Sequence, residues 1–484
     1  MVKNLLLTLW TLLAALLINP ATAQVKQEIE LPELGDASSA LFSLDKEYQL
    51  GRAWLRVFRS RVEIVSDPLL QGYVEELTYK LATHSELKDR RLDIIIVNNQ
   101  AINAFAVPGG VLGIHNGLLL QAETEAQFAS VMSHELAHLS QRHFARSVEA
   151  QKRNAIPNMA GLLAGIILAA TEGGNAGMVA IAATQAASLQ NQLRYSRLHE
   201  QEADRTGMET MVRADMDPSA AAGMFEVMQQ ASRYYGNRPP EFLLTHPVTE
   251  SRISDARNRS RQYPRKMYTD NPNFQLMRAR VEISFIDSSK DAVKHFRAKL
   301  EKPSRYPDAD QYGLILALTA NSEFEEAQQR LNTLMAAEPN EISYMLALAE
   351  LQMASGQLLE AINLLEGALS FTPNSHPISM MLARTYLLAN QPHRAEALLE
   401  QHTTVKPNDP SVWYLLAETH GLAGNIIGVH RARAEYFVLN GVLDRAAKQL
   451  SYALPLVKND HLTSAKIKQR IVQIKQLEVQ MSNL

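Results

Sequence analysis

The chain has 484 residues, 46% of them hydrophobic and 20% charged, with a formal net charge of -3 and no cysteine. That length exceeds a single core and points to two to four domains, while the near-neutral balance offers no basic excess for nucleic acid. Without cysteine there is no disulfide framework and no site for lipid acylation.

At the N-terminus, Lys3, the apolar stretch Leu5 to Ile18 and Ala21-Thr22-Ala23 read as a signal peptide cleaved after Ala23. The apolar stretch is short for a membrane span, though an uncleaved anchor is the alternative. Removing Lys3 leaves a mature charge of -4, and the absence of cysteine fits export to an oxidising compartment. Further on, Leu92 to Val97 is rich in β-branched residues and predicts a strand, and Ala104 to Val107, closed by Pro108-Gly109-Gly110, a second. Asn103 to Val107 is a candidate edge onto which a substrate backbone could add as a strand, with a purely structural strand as the equal alternative. His115, inside Gly113-Ile114-His115-Asn116-Gly117, reads as a turn histidine.

Thr124-Glu125-Ala126-Gln127 predicts a capped helix start, and Ala126, Phe128, Ala129, Val131, Met132, Leu136 and Leu139 give that helix a broad apolar face. Within it stands His134-Glu135-Leu136-Ala137-His138. Two imidazoles four residues apart share one face and can ligate a single zinc ion. Glu135, beside the first of them, can take a proton from a water next to the metal, which makes a zinc peptidase the reaction class to expect. Catalytic zinc needs a third protein ligand. A metzincin-type histidine is excluded, because Phe144 stands where it would fall and Gln141 replaces the glycine of that pattern. His143 turns away from the ligand face and reads as solvated or capping.

Met159 to Ala170, Gly173-Gly174 and Met178 to Ala187 predict a helical hairpin beside the site, or a flap touching a membrane or an unfolded chain. Neither half reaches the roughly 20 apolar residues of a span. In Ser196 to Asp204, Glu200 and Asp204 share a face of a second helix. Glu200 is the candidate third ligand and Asp204 the carboxylate that hydrogen-bonds a ligand imidazole. Glu202 points about 160° away from Asp204 and reads as surface charge. Pro247 keeps His246 out of helix. Its loop can return over the cleft, where His246 would either fill the fourth metal position or stabilise an oxyanion; Arg252 would do the latter or position the loop.

The last third is periodic. Pro339-Asn340, Pro373-Asn374 and Pro407-Asn408 recur every 34 residues, as do Ala327, Ala361 and Ala395, and Gly356 and Gly424 lie two periods apart. That is the tetratricopeptide period. Tyr386 and Trp413 fall near its aromatic positions, Gly441 and Ala446 suggest a further unit out of register, and residues 265 to 335 suggest more degenerate pairs. About four repeats are expected, offering a concave surface for protein recognition.

Three motifs in order, Asn103-Ala104-Phe105-Ala106-Val107-Pro108-Gly109-Gly110, the H-E-x-x-H helix, and Ser196-Arg197 with Glu200, Ala203 and Asp204, resemble the zinc peptidase family that includes HtpX and the CAAX prenyl proteases. The resemblance spans roughly residues 45 to 260. It implies zinc held by His134, His138 and Glu200, Glu135 as general base and Asp204 in support. The long membrane helices of those relatives are missing. The signal peptide and repeats liken the chain to a periplasmic member, which implies misassembled outer-membrane β-barrel proteins as substrates and their assembly machinery as partners.

The expected architecture is mainly α: a signal peptide over 1–23, an α+β zincin-type metallopeptidase domain with a small sheet over 24–262, and an α-solenoid of tetratricopeptide repeats over 263–484. The expected activity is that of a periplasmic zinc endopeptidase with catalytic residues Glu135, His246 and Asp204, one zinc ion per chain, and a repeat domain that docks substrates or partners. Peripheral membrane contact through the apolar hairpin is open. Two alternatives stand beside it: a chaperone or scaffold working through its repeats over a latent zinc site, and a membrane-associated peptidase of the HtpX type.

Overall fold

The computed structural model describes residues 43–150, 189–234 and 241–482. The expected signal peptide and the apolar hairpin at 159–187 lie outside the described residues. Leu44–Arg59 (α1) starts at Ser43, whose hydroxyl accepts from the Lys46 N–H, and Pro68–His84 (α2) starts at Asp67, whose carboxylate accepts from Leu69 and Leu70 N–H. Between these helices and the motif helix lies a small sheet of Asp93–Val97 (β1), Ala104–Val107 (β2) and Val111–His115 (β3), in the order β1-β3-β2. β1 runs parallel to β3 and β2 antiparallel to it.

The third strand corrects the reading of His115 as a turn residue. Val111–His115 is the central strand, buried along its whole length. The turn comes earlier, at Gly109 and Gly110, both at positive φ. Gly113 is glycine because the Phe105 ring from β2 lies where its Cβ would be, 2.0 Å from the nearest ring atom. β2 pairs with β3 on one side and leaves its other edge toward the motif helix.

Asn116–Gln121 (α3) follows, then Glu125–Ser140 (α4), which carries the motif. Thr124 caps α4 as expected, accepting from the Gln127 N–H, but the return bond from Gln127 goes to the Glu123 N–H. Phe128, Ala129, Met132 and Leu136 are all fully buried. His143–Ala150 (α5), Leu189–Arg213 (α6), Ala220–Tyr234 (α7), Glu241–Thr245 (α8) and Glu250–Ser260 (α9) complete this part.

From Pro272 onward the chain is paired helices: α10 (Pro272–Ser284) with α11 (Ser289–Leu300), α12 (Pro307–Ala320) with α13 (Phe324–Ala337), α14 (Ile342–Ala354) with α15 (Leu358–Phe371), α16 (His376–Leu388) with α17 (Pro392–Val405), α18 (Pro410–Leu422) with α19 (Ile426–Leu439), and α20 (Leu443–Ala453) with α21 (His461–Ser482). That makes six hairpins among the described residues: four from Ile342 onward, against the about four repeats expected, and two before it, where degenerate pairs were expected. Ala327, Ala361 and Ala395 are fully buried where the helices of a pair approach. The turn inside a pair uses a left-handed residue at Ser322, Gly356, Asn390 and Gly424, one every 34 residues. Asn390 fills the place between the two glycines visible in the sequence.

One hydrophobic core runs from Leu69 to Ala395 without interruption between the mixed part and the repeats. Polar struts accompany it. Arg280 Nε lies 2.8 Å from the Asp67 carboxylate that caps α2, Arg280 Nη2 3.0 Å from Glu350 of α14, and Arg280 Nη1 3.0 Å from the Tyr312 hydroxyl. Lys406 pairs with Glu75. No helix among the described residues is long and apolar enough to cross a membrane.

Candidate active site

The site lies where α4 crosses α6. Gly207 makes the crossing close, since a Cβ there would stand 3.0 Å from the His134 N and 3.1 Å from Ser133 backbone atoms. Two turns earlier on α6, Glu200 faces the paired histidines. Its Oε2 lies 3.4 Å from His134 Nε2 and its Oε1 3.4 Å from His138 Nε2, while the two Nε2 atoms are 3.1 Å apart. His246, just past α8, returns over them as its position before Pro247 suggested. Its Nδ1 is 2.9 Å from Glu200 Oε1 and 3.4 Å from His134 Nε2.

Four donors, three imidazole nitrogens and a carboxylate oxygen, therefore converge within 4.8 Å of one another. Ligand bonds of 2.0–2.1 Å around a tetrahedral ion put neighbouring donors about 3.4 Å apart. The observed separations match, and the donor set suits a divalent metal of zinc's class.

Behind the donors stands a supporting layer. His134 Nδ1 lies 2.9 Å from Asp204 Oδ1. Arg252 grips Asp204 with two bonds of 2.7 Å, accepts no role toward solvent, being 5% exposed, and donates to the Pro247 carbonyl at 2.9 Å. It also sits 3.1 Å from Glu200 Oε2. Of the two roles open to Arg252, this geometry carries loop positioning. Burial alone would lower His134, but Asp204 and Glu200 overcome it and hold its pKa at about 10. Burial takes His138 down to about 4. Burial likewise opposes the charged forms of Glu200 and Asp204, yet the surrounding histidines keep Glu200 well below the ordinary carboxylate range and Arg252 keeps Asp204 low.

Glu135 differs. It is 1% exposed, and burial raises its pKa. One carboxylate oxygen, Oε1, has no hydrogen-bond partner, with His246 Nε2 3.6 Å away, and the Ala106 N–H on the outer edge of β2 reaches the same group. A buried, proton-accepting carboxylate with a spare oxygen next to a metal-type donor set fits a general base.

Around the site, sequence reasoning placed two further residues wrongly. His143 is neither solvated nor capping: it is 4% exposed, and its Nδ1 lies 2.9 Å from His138 Nδ1. α4 ends at Ser140, and Arg142 takes φ 50° before α5 begins at His143, so counting 100° per residue from His138 fails at that break. Arg142 is a non-glycine at positive φ, held there by a 2.9 Å ion pair to Glu47 of α1, and nothing local in the sequence announces it. Glu202 is half-buried rather than a free surface charge, bonded to His143 Nε2 at 3.2 Å and to Arg146 at 2.9 Å.

Two helices that bring His134, His138 and Glu200 together beside a three-stranded sheet suit a metallopeptidase, and comparison with known proteins shows that class. Residues 68–260 match the model of peptidase family M48, and residues 352–419 a tetratricopeptide repeat model. The beta-barrel assembly-enhancing protease of Escherichia coli O157:H7 is 34% identical over 477 residues, 98% of this chain and 97% of that protein. Its namesake in Yersinia pestis is 32% identical over 339 residues, 70% of this chain and 69% of that one. The mitochondrial metalloendopeptidase OMA1 of Schizosaccharomyces pombe is 28% identical over 189 residues, 37% of this chain and 50% of that one. The chain belongs to peptidase family M48: it is a metalloendopeptidase carrying tetratricopeptide repeats.

Proposed function

We propose that this protein is an exported, periplasmic zinc endopeptidase that cleaves misassembled outer-membrane β-barrel proteins, with catalysis in residues 24–262 and docking of substrate or assembly machinery in residues 263–484. The single observation that carries the catalytic part is the convergence of His134, His138, Glu200 and His246 beside the buried Glu135. The β-barrel part rests on the named relatives that the chain matches over almost its full length.

His134, His138 and Glu200 would hold one zinc ion. When bound, zinc polarises a water molecule and the scissile carbonyl. Glu135 takes the proton of the attacking water and returns it to the amine nitrogen as the peptide bond breaks. Asp204 keeps the His134 ring oriented, and Arg252 keeps Asp204 in place. His246, with Nδ1 2.9 Å from Glu200 Oε1 and 3.4 Å from His134 Nε2, would cover the ligands until substrate displaces it. The outer edge of β2 lies beside Glu135, so an extended substrate strand adding there would bring its backbone to the base without demanding particular side chains. The repeats supply selection: together with the β1 side of the sheet they enclose a cleft of about 650 Å³ lined by Gln71, Asp93, Arg384, Lys406 and Tyr414. Contact with the membrane surface would come from the apolar 159–187 segment.

The test is elemental analysis of the purified mature chain with casein hydrolysis alongside. About one zinc per chain is expected, chelation should abolish hydrolysis and zinc restore it, and Glu135→Gln should lower the rate by roughly 10²–10⁴-fold with zinc retained. Full biological activity in Glu135→Gln would instead place the physiological work in the repeats.

A further inference from the structure

Building on the zinc reading above, we propose that Glu202 and His143 form a relay that fixes His138 in its ligating tautomer, making both of them positioning residues of the metal site. His143 heads α5 directly after the break at Arg142, which swings its ring back beneath His138. The contacts run in a line: His138 Nδ1 to His143 Nδ1 at 2.9 Å, His143 Nε2 to Glu202 Oε2 at 3.2 Å, and Arg146 Nη1 to the same oxygen at 2.9 Å. His143 also stacks on His199, with ring centroids 4.2 Å apart and planes within 9° of parallel, so its ring cannot turn freely.

The proton arrangement follows from these contacts. Glu202 accepts only, so His143 carries its proton on Nε2 and presents a bare Nδ1 to His138. His138 must then donate from Nδ1, which leaves its Nε2 lone pair free to face the donor cluster. With the opposite tautomer on His143, His138 would accept at Nδ1 and hold its proton on Nε2, where a metal has to bind. Asp204 does the same for His134 in one step; His138 has no carboxylate of its own at that distance among the described residues, and Glu202 reaches it through His143. Such outer partners typically set metal affinity by roughly 10–100-fold.

The experiment uses the full mature chain, stripped with chelator and titrated with zinc against a chromophoric competitor, then with cobalt while the visible ligand-field bands are read. His143→Leu keeps the volume and removes the acceptor, and should weaken zinc binding by about 10–100-fold and shift the cobalt spectrum. His143→Asn replaces Nδ1 by an amide oxygen and should restore most of the affinity, an outcome that a role in packing alone would not give. Glu202→Ala, at a half-buried position, should give a smaller loss in the same direction. Zinc binding by His143→Leu as tight as in the parent chain, or by His143→Asn as weak as in His143→Leu, overturns the relay and leaves the zinc site standing. A parent chain that takes up no zinc overturns the zinc reading and the relay together.

Discussion

On the proposed zinc reading, His246 would stand where a nucleophilic water is needed. Its Nδ1 is within 3.4 Å of both His134 Nε2 and Glu200 Oε1, so on that reading substrate would have to displace it. An open form present at roughly a tenth of the population would hold the rate down by the same factor. His246→Ala is therefore expected to raise casein hydrolysis about tenfold; a fall in rate would move His246 to the oxyanion role instead. The paired histidines, Glu135, Glu200 and Asp204 could all be read from the sequence because each pair sits within an unbroken helix, where spacing determines which side chains share a face. His143 could not, because its place depends on a left-handed Arg142 held by Glu47 from a distant helix. Arg252 was visible as a candidate but its role was not, since that depends on which carboxylate α9 brings it to.

At the scale of elements, Gly207 governs how closely the two ligand helices approach. Gly207→Ala places a methyl 3.0–3.1 Å from backbone atoms of Ser133 and His134, which cannot turn aside as a side chain would. Overpacking of this kind costs about 1–3 kcal/mol, and here it also moves His134 away from Glu200. Calorimetry should show the lower stability, and a zinc titration a weaker site; an unchanged zinc affinity would show that the helices separate without disturbing the ligands. In the repeats, His376 and His402 lie nearly coplanar, their planes 11° apart, bonded nitrogen to nitrogen at 2.9 Å, with Asp409 3.2 Å from His376. Burial lowers both pKa values, His402 to about 4. The unfolded chain binds protons near pH 6.5 that the folded pair refuses, so this pair stabilises fully above pH 6.5 and progressively less as pH falls toward 4. His402→Gln should flatten the dependence of the melting temperature on pH within that window, and a slope equal to the parent's would locate the sensitivity elsewhere. The repeats were legible because alanine and proline recur at a countable interval. β3 was not, because Gly113 and Gly117 imitate a turn, and the need for glycine beneath Phe105 exists only once β2 and β3 are paired.

Across the molecule, the peptidase part and the repeats hold together through one apolar core and the Arg280 strut. Arg280 is buried enough that desolvation works against its charge, yet Tyr312, Glu350 and Asp67 together hold its pKa well above the ordinary value. Asp67 in turn is doubly used, capping α2 through one oxygen and meeting Arg280 with the other. A continuous core and a shared charge network predict that the two parts unfold in one cooperative transition rather than one after the other. Arg280→Ala removes the cation shared by Asp67 and Glu350 at the junction, and because both carboxylates are partly exposed the loss should stay below the full cost of orphaning a buried charge. Differential scanning calorimetry should show a single transition for the parent chain, and for Arg280→Ala a transition that is lower and split, the repeat array melting apart from the peptidase part. If the variant melts as one unit at the parent's temperature, the apolar core alone couples the two parts. In that case Arg280 adds no measurable stability at the junction, and the geometry between the repeats and the peptidase part is set by packing rather than by charge.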